Sequence, residues 1–239
     1  MNGLYMAAAG MVADGEWLQV IGNNLTNADS PGYLAQDVTL GEFPSGTAYR
    51  TGSFPAVLGQ VAQGVVADPS VVEASLGYEA TGGTYDFAVD GNGFFTVRTP
   101  NGIAYTRDGH FFLDANGTLV DAAGDPVLDT QGRPIVLAPG RVAVSGDGIL
   151  SENGAPVAQL GIADLTGPLA ALPGNLYQGT AAPDTASTVV GGALNTSGAS
   201  VSREAALMIQ AESSYKSLTA MASTEGTRLQ TAADLALWA

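Results

Sequence analysis

The chain has 239 residues, 46% of them hydrophobic and 13% charged, which is long enough and apolar enough to bury a real core in one or two domains. Its formal net charge is −15, with 8 basic residues against 23 acidic ones, and Lys216 is its one lysine, so it lacks the basic face that nucleic acid or an anionic membrane surface requires. There is no cysteine and one histidine, His110, which excludes disulfides, thiolate nucleophiles, Cys-based zinc sites and every motif built on two histidines.

Residues 1–33 read as an N-terminal assembly helix and turn. Met1-Asn2-Gly3 brings no basic n-region and no long apolar run, so no ordinary signal peptide or transmembrane span is expected, and passage out of the cytoplasm would need another export route. Leu4, Met11, Leu18 and Leu25 recur every seven residues, Ile21 takes the companion position, and Met6, Ala7, Ala8 and Val20 widen the stripe. This is the repeat of a helix that packs on other helices in coiled-coil fashion. Asp14 interrupts one seam position, and Gly10 and Gly15 each weaken a helix by roughly 1 kcal/mol relative to alanine. "NNLTNADSPGY" (23–33) then stops it, with Pro31 as breaker and Gly32 for unusual backbone angles. Asn23, Asn24 and Asn27 can satisfy backbone groups left open at the helix end.

Residues 34–80 are loosely patterned and read as an extended connector, and 81–190 as an antiparallel β-domain. "YDFAVDG" and "GFFTVRT" alternate, and further short strands follow at hairpin spacing. Asn92-Gly93, Asn101-Gly102, Asp108-Gly109, Asn116-Gly117, Asp147-Gly148 and Asn153-Gly154 read as two-residue hairpin turns, in which both central residues take positive φ. Phe94-Phe95 and Phe111-Phe112 are adjacent pairs, so one of each is expected in the core and one outside.

Residues 191–239 read as a connector and a C-terminal assembly helix capped by Ser202. Val201, Met208, Tyr215, Ala222, Leu229 and Ala236 repeat every seven residues, and Ala211, Leu218 and Ala232 fill a second seam that Glu204 and Glu225 interrupt. The expected fold is mixed α and β: an antiparallel all-β domain inserted between N- and C-terminal α-helices that pair as a coiled-coil-like bundle. The helices are longer than the β-domain needs, which favours association with other copies. A simple intramolecular hairpin of two helices is the bland alternative.

Asp86, Asp90, Asp108, Asp114, Asp121 and Asp125 raise the rival reading of a calcium site or a glycosidase carboxylate pair. "DANGTLVDAAGD" lacks the alternating acids and terminal glutamate of a calcium loop, and hairpin turns account for most of these residues. His110 follows a turn without a second histidine or cysteine to support catalysis and reads as a strand surface residue. The expectation is therefore no catalytic residue, no cofactor and no metal. An envelope-associated carbohydrate-binding or hydrolytic β-protein with a helical stalk is the alternative.

Three segments together resemble the bacterial flagellar axial proteins of the rod and hook class, nearest to the proximal and distal rod proteins. In the first, Asn23, Asn24, Leu25, Asn27, Pro31, Gly32 and Tyr33 match the family's Asn-Asn-Leu-Ala-Asn and Thr-Pro-Gly-Phe pattern, with Thr26 and Ser30 as departures. In the second, Asp86, Ala88, Gly91, Gly93, Phe94, Phe95, Tyr105, Thr106, Arg107, Gly109 and Phe111 match its central segments, and Arg107 is expected to make a salt bridge or bonds to carbonyls. In the third, Ser197, Met208, Ile209, Gln210, Ala211 and Tyr215 match, while Gly198 and Ala199 replace an Asn-Val pair.

The resemblance implies a structural, non-catalytic subunit of the basal-body rod that serves motility. Such a subunit leaves the cell through the flagellar type III export apparatus without a cleaved signal peptide. It polymerises with itself and with other rod and hook subunits into the axial tube, without membrane insertion. It also implies an assembly interface at Leu4, Met11, Leu18, Ile21, Asn23, Asn24, Leu25, Asn27, Pro31, Gly32, Tyr33, Met208, Tyr215, Leu218 and Leu229.

Overall fold

The computed structural model describes residues 2–42, 46–50, 56–61, 65–71, 76–184 and 186–236. It is mixed α and β. Helix α1 (Asn2–Thr26) opens the chain, helix α2 (Val201–Ala236) closes it, and the strands between them pair antiparallel. The chain divides into two units. One holds Met1–Leu25, Gln36–Ser70 and Val201–Ala239; the other holds Thr26–Ala35 and Val71–Ser200.

In the helical unit, α1 and α2 touch where an added Cβ on Gly10 would fall 2.8 Å from Leu218 Cδ1, and Thr219 Oγ1 donates to Met11 Sδ at 3.5 Å. The far end of α1 meets the strand Gln36–Glu42. Asn24 Nδ2 donates to the Gln36 carbonyl at 2.7 Å, and Gln36 N donates back to Asn24 Oδ1 at 2.9 Å. The start of α2 reaches the same strand, with the Arg203 guanidinium 3.6 Å from Asp37 Oδ2. The helices therefore run in opposite directions. Gln36–Glu42 pairs with Val65–Val71, and Gly46–Arg50 with Ala56–Val61.

The β body forms because its alternating strands can bury both faces. Gly93–Thr99, Gly102–Thr106, Leu176–Pro183 and Ile162–Leu172 close into a four-stranded barrel. One core gathers Phe87, Val89, Phe95, Val97, Phe111, Leu119 and their neighbours. A second gathers Leu34, Leu76, Phe94, Leu165 and Tyr177. The strand Gly93–Thr99 lies between them, so Phe94 and Phe95 are both buried, contrary to the one-in, one-out expectation. For the other pair that expectation holds: Phe111 is buried and Phe112 is 44% exposed.

Residues 117–137 carry a short repeat that sequence patterning passed over. Leu119, Val127 and Ile135, eight residues apart, hydrogen-bond in a ring: Leu119 N to the Ile135 carbonyl (2.9 Å), Ile135 N to Val127 (3.0 Å), and Val127 N to Leu119 (2.9 Å). The same turn precedes each of the three residues. An aspartate Oδ1 accepts two backbone N–H groups, those of Asn116 and Thr118 for Asp114, Ala123 and Asp125 for Asp121, and Gln131 and Arg133 for Asp129, at 2.7–2.9 Å. A glycine with positive φ then closes it: Gly117 (81°), Gly124 (87°) or Gly132 (74°). These are Asx turns, and they correct the expectation of two-residue hairpins. Among the described residues only Asn153-Gly154 has positive φ at both positions of a proposed pair. At Asn101-Gly102 the hairpin still has two turn residues, but they are Pro100 and Asn101, with Gly102 already paired to Thr99; at Asn116-Gly117 the Asp114 carboxylate supplies the reversal.

Asp121→Ala removes the acceptor of two backbone donors, and we expect a loss of about 1 kcal/mol in denaturant unfolding. Asp121→Asn, which keeps a side-chain acceptor, should lose less.

Candidate functional site

The residues singled out by sequence come together in the β body around the segment 26–35. Gly32 (φ 63°) lies flat against the Arg107–Asp108 peptide, so close that an added Cβ would fall 2.1 Å from the Arg107 carbonyl oxygen. Backbone meeting backbone at this range lets the segment hand out its polar groups. Gly32 N donates to the Asn195 carbonyl (2.9 Å), and the Tyr33 carbonyl accepts from Gly198 N (2.7 Å). The Pro31 carbonyl accepts from Asn175 Nδ2 (2.8 Å), and the Asn27 carbonyl accepts from Ser197 Oγ (2.8 Å). Leu34 N donates to the Tyr177 hydroxyl, which donates on to Asn175 Oδ1, both at 2.9 Å. Burial pushes the Tyr177 phenol up, so it stays a neutral donor. Tyr33 is buried against Ala28, Ala35 and Ala199.

The central motif holds the other side of this contact. Arg107 is buried, donates from its guanidinium to the Gly91 carbonyl at 2.7 Å, and lies 4.9 Å over the Phe94 ring. Thr106 Oγ1 donates to the Asn175 carbonyl (2.9 Å) and accepts from Asp108 N (3.0 Å). The motif glycines are there for lack of room. A Cβ on Gly91 would fall 2.5 Å from Ser187 Oγ, one on Gly93 2.3 Å from Asp184 Oδ2, and one on Gly109 1.7 Å from the Phe87 carbonyl oxygen. Phe95 and Phe111 stack edge to face at 5.2 Å between centroids.

Sequence reasoning missed Asn175, Tyr177 and Asn195. Asn195 is buried, accepts from Val89 N (2.8 Å) and donates to the Val89 carbonyl (2.9 Å), so it takes the place of a strand neighbour. Asn24 does the same for Gln36 in the helical unit. Asparagines after an extended run, as in "ALNTS", were the available signal.

On the helices, Ile21 and Asn24 are buried, Met11, Leu18, Leu25, Met208 and Leu218 are half-buried, and Asn23, Tyr215 and Leu229 are exposed. The side chains of Leu4, Ala232 and Ala236 lie outside the described residues.

The acids do not converge on a reaction centre. Asp114 and Asp121 sit at turn tips, bonded to backbone. Backbone hydrogen bonds, that from Thr118 foremost, hold the Asp114 carboxyl below its usual range. Asp86 Oδ1 lies 2.8 Å from His110 Nδ1, and Asp86 Oδ2 accepts from Thr81 Oγ1. An open cleft of about 760 Å³ is walled by glycines, the apolar run Val142–Val144 and Phe87, with Arg141, Ser151 and Asn153, and none of its lining residues is a carboxylate. Among the described residues no group of three or more His, Asp or Glu is placed to hold a metal ion, and no helix is long and apolar enough to cross a membrane.

Residues 88–154 match the D1 domain of the flagellar hook proteins FlgE, FlgF and FlgG. The chain is 30% identical, over 92% of its length and 91% of the relative's, to a flagellar basal-body rod protein FlgF from Caulobacter vibrioides. The chain belongs to the flagellar rod and hook protein family. It is also 32% identical over 67% of its length to FlgF of Rhizobium meliloti, and 34% identical over 54% to the rod protein FlgG of Bacillus subtilis. Those matches span 64% and 51% of the relatives' own lengths. The chain is a structural flagellar rod subunit, and the comparisons give no support to the carbohydrate-binding or hydrolytic alternative.

Gly32→Ala would force a side chain into a left-handed backbone and onto the Arg107 carbonyl. We expect a loss of at least ~2 kcal/mol in denaturant unfolding of the β body. A second prediction concerns Asp108. Burial raises its folded pKa above the ordinary 3.8, so its charged form is disfavoured in the fold, and stability is gained as pH falls through the folded pKa. Asp108→Asn keeps an acceptor for His110 N and removes the charge. It should raise the Tm at neutral pH, with the difference closing as pH falls toward 3.8.

Proposed function

We propose that this rod subunit polymerises through its terminal helices, which pair with those of neighbouring copies in coiled-coil fashion, and that it works by assembly and not by catalysis. The carrying observation is the apolar surface the helices leave open. Val201 (53% exposed), Ile209 (71%), Tyr215 (42%), Met221 (60%) and Leu229 (38%) stand out on α2, with Met6 (47%) and Val12 (64%) on α1. Surface of this kind marks an interaction site. The proposed interface comprises Leu4, Met11, Leu18, Leu25, Met208, Tyr215 and Leu229 along the helices, with Ile21, Asn24 and Leu218 fixing their pairing. The segment from Asn27 through Pro31, Gly32 and Tyr33 sets the fold of the β body beside it. Self and other rod and hook subunits are the partners, and delivery is through the flagellar type III export apparatus without cleavage of a signal peptide. The likeness to rod and hook proteins supports assembly with such subunits.

Tyr215→Asp combined with Leu229→Asp should leave the β body folded by near-UV circular dichroism. The same variant should abolish incorporation into basal bodies and spreading in soft agar. Normal incorporation of the folded double variant would overturn the proposal.

A further inference from the structure

Asn-Gly pairs recur along the sequence, one at the start of α1 (Asn2-Gly3) and the others in the β body. Asparagine is chemically fragile before glycine, because no side chain crowds the glycine nitrogen and it can close on the asparagine Cγ. In a folded chain the state of that nitrogen decides whether it does. At Asn92-Gly93 the glycine is buried and its N donates to Ser187 Oγ at 2.9 Å. At Asn116-Gly117 the glycine N donates to the Asp114 carbonyl at 3.0 Å. At Asn101-Gly102 the glycine is paired with Thr99 in the strand ladder, and the Thr99 hydroxyl donates to its carbonyl at 2.9 Å. The pair Asn153-Gly154 differs from all three. With φ of 51° and 83°, these residues form the two-residue turn between the strands Ile149–Glu152 and Ala155–Gln159, which Glu152 and Ala155 close. Such a turn makes its hydrogen bonds through the flanking residues, which leaves the Gly154 N–H to solvent. Asn153 and Gly154 are both exposed, and among the described residues neither the Gly154 N nor the Asn153 carboxamide makes a hydrogen bond. A Cβ added to Gly154 would meet nothing within 4 Å, so there is room for a ring to form.

We infer that Asn153 is the site at which the folded β body modifies itself, by deamidation. The Gly154 nitrogen gives up its proton to solvent and bonds to Asn153 Cγ. The Cγ–Nδ2 bond breaks, ammonia leaves, and a cyclic imide remains. Water then adds to one of the two imide carbonyls and opens the ring, so the sum is water consumed and ammonia released, with nothing oxidised or reduced. Opening at one carbonyl gives aspartate, and it puts a carboxylate into the cleft that Asn153 lines beside the exposed Arg141 and that otherwise holds none. Opening at the other gives isoaspartate, in which the main chain runs through the former side chain and is one carbon longer. A two-residue turn has no slack for that atom, so Ala155 is drawn out of its pairing with Glu152. The strand beyond is poorly placed to resist. Ala155, Pro156 and Val157 are all exposed, and Pro156, opposite Ser151, has no N–H to give to the ladder. The hairpin Ile149–Gln159 is thus the part of the β body that changes with age, whether or not the subunit assembles through its helices.

The test holds the full-length chain at mildly alkaline pH in heavy-oxygen water, folded in one sample and unfolded in guanidinium chloride in another, and follows each Asn-Gly peptide by mass spectrometry. In the folded chain Asn153 should convert at least about tenfold faster than Asn92, Asn101 or Asn116, the rate equivalent of one hydrogen bond that must first be broken. In denaturant all of these sites should convert at similar rates. If Asn153 converts no faster than the other three in the folded chain, the proposal is overturned. A lead of Asn153 that persists in denaturant overturns it as well, because the flanking sequence and not the fold then selects the site. The loosening of the hairpin has its own readout. The Ala155 amide should exchange hydrogen at least about tenfold faster in the isoaspartate fraction than in the aspartate fraction, and equal exchange in the two would overturn that part.

Discussion

The β body depends on one close approach, that of Gly32 to the Arg107–Asp108 peptide. Only a residue without a Cβ and with ready access to positive φ can lie there. Because it does, the main chain on either side of it comes within hydrogen-bonding range of Asn195, Gly198, Asn175 and Tyr177. Buried main-chain groups must find partners, and this segment finds them in residues drawn from the far end of the chain. The approach also ties three stretches of sequence into one contact. Arg107 belongs to the strand end facing Gly32, its guanidinium holds the Gly91 carbonyl, and its flat face covers Phe94. The motif residues are selected for smallness and for hydrogen bonding to backbone. That is the chemistry of a fixed joint and not of a reactive site.

Asparagine recurs as the device that finishes what strands leave open. Asn24 and Asn195 each offer one donor and one acceptor to the backbone of a single residue, reproducing the bond pair that a neighbouring strand residue would supply. Asn175 reaches positive φ (59°), which lets it serve the Pro31 carbonyl and the Tyr177 hydroxyl from a turn. A side-chain amide can do this in one place, without needing a whole strand beside it.

The architecture of helix, β-structure and helix was legible from period and turn residues, because those signals are local. The motif residues were legible as a set, since Pro31-Gly32 and Gly91-x-Gly93 stand out in any reading. What they touch was not legible: a glycine announces that space is short, but the neighbour that takes the space is fixed by tertiary packing. Phe94 illustrates the limit. Alternation predicts one buried phenylalanine of the pair, and both are buried because segment 26–35 supplies Leu34 to a second core on the other face. The helix seam shows a related limit. The heptads through Met11 and Leu18 and through Met208 and Tyr215 are real, yet the most buried rows run through Ala7, Asp14 and Ile21 and through Glu204, Ala211 and Leu218. Hydrophobic count weighed the bulky heptad positions, while packing within the chain buries rows that keep Ile21 and Leu218 but otherwise hold two alanines and two acids.

That choice bears on where the function lies. Helix α2 spans 36 residues, and among its described side chains only Glu204 and Ala211 are buried. A helix gains most of its stability in a protein by burying an apolar face, and one alanine methyl does not hold ten turns of helix. Val201, Ile209, Tyr215, Met221 and Leu229 are left exposed, while Met208 and Leu218 are half-buried. Several bulky apolar residues of α2 therefore lie on a face that the described chain does not cover. For a rod subunit this fits the proposed assembly through the terminal helices, in which those exposed side chains would make the contacts of the polymer.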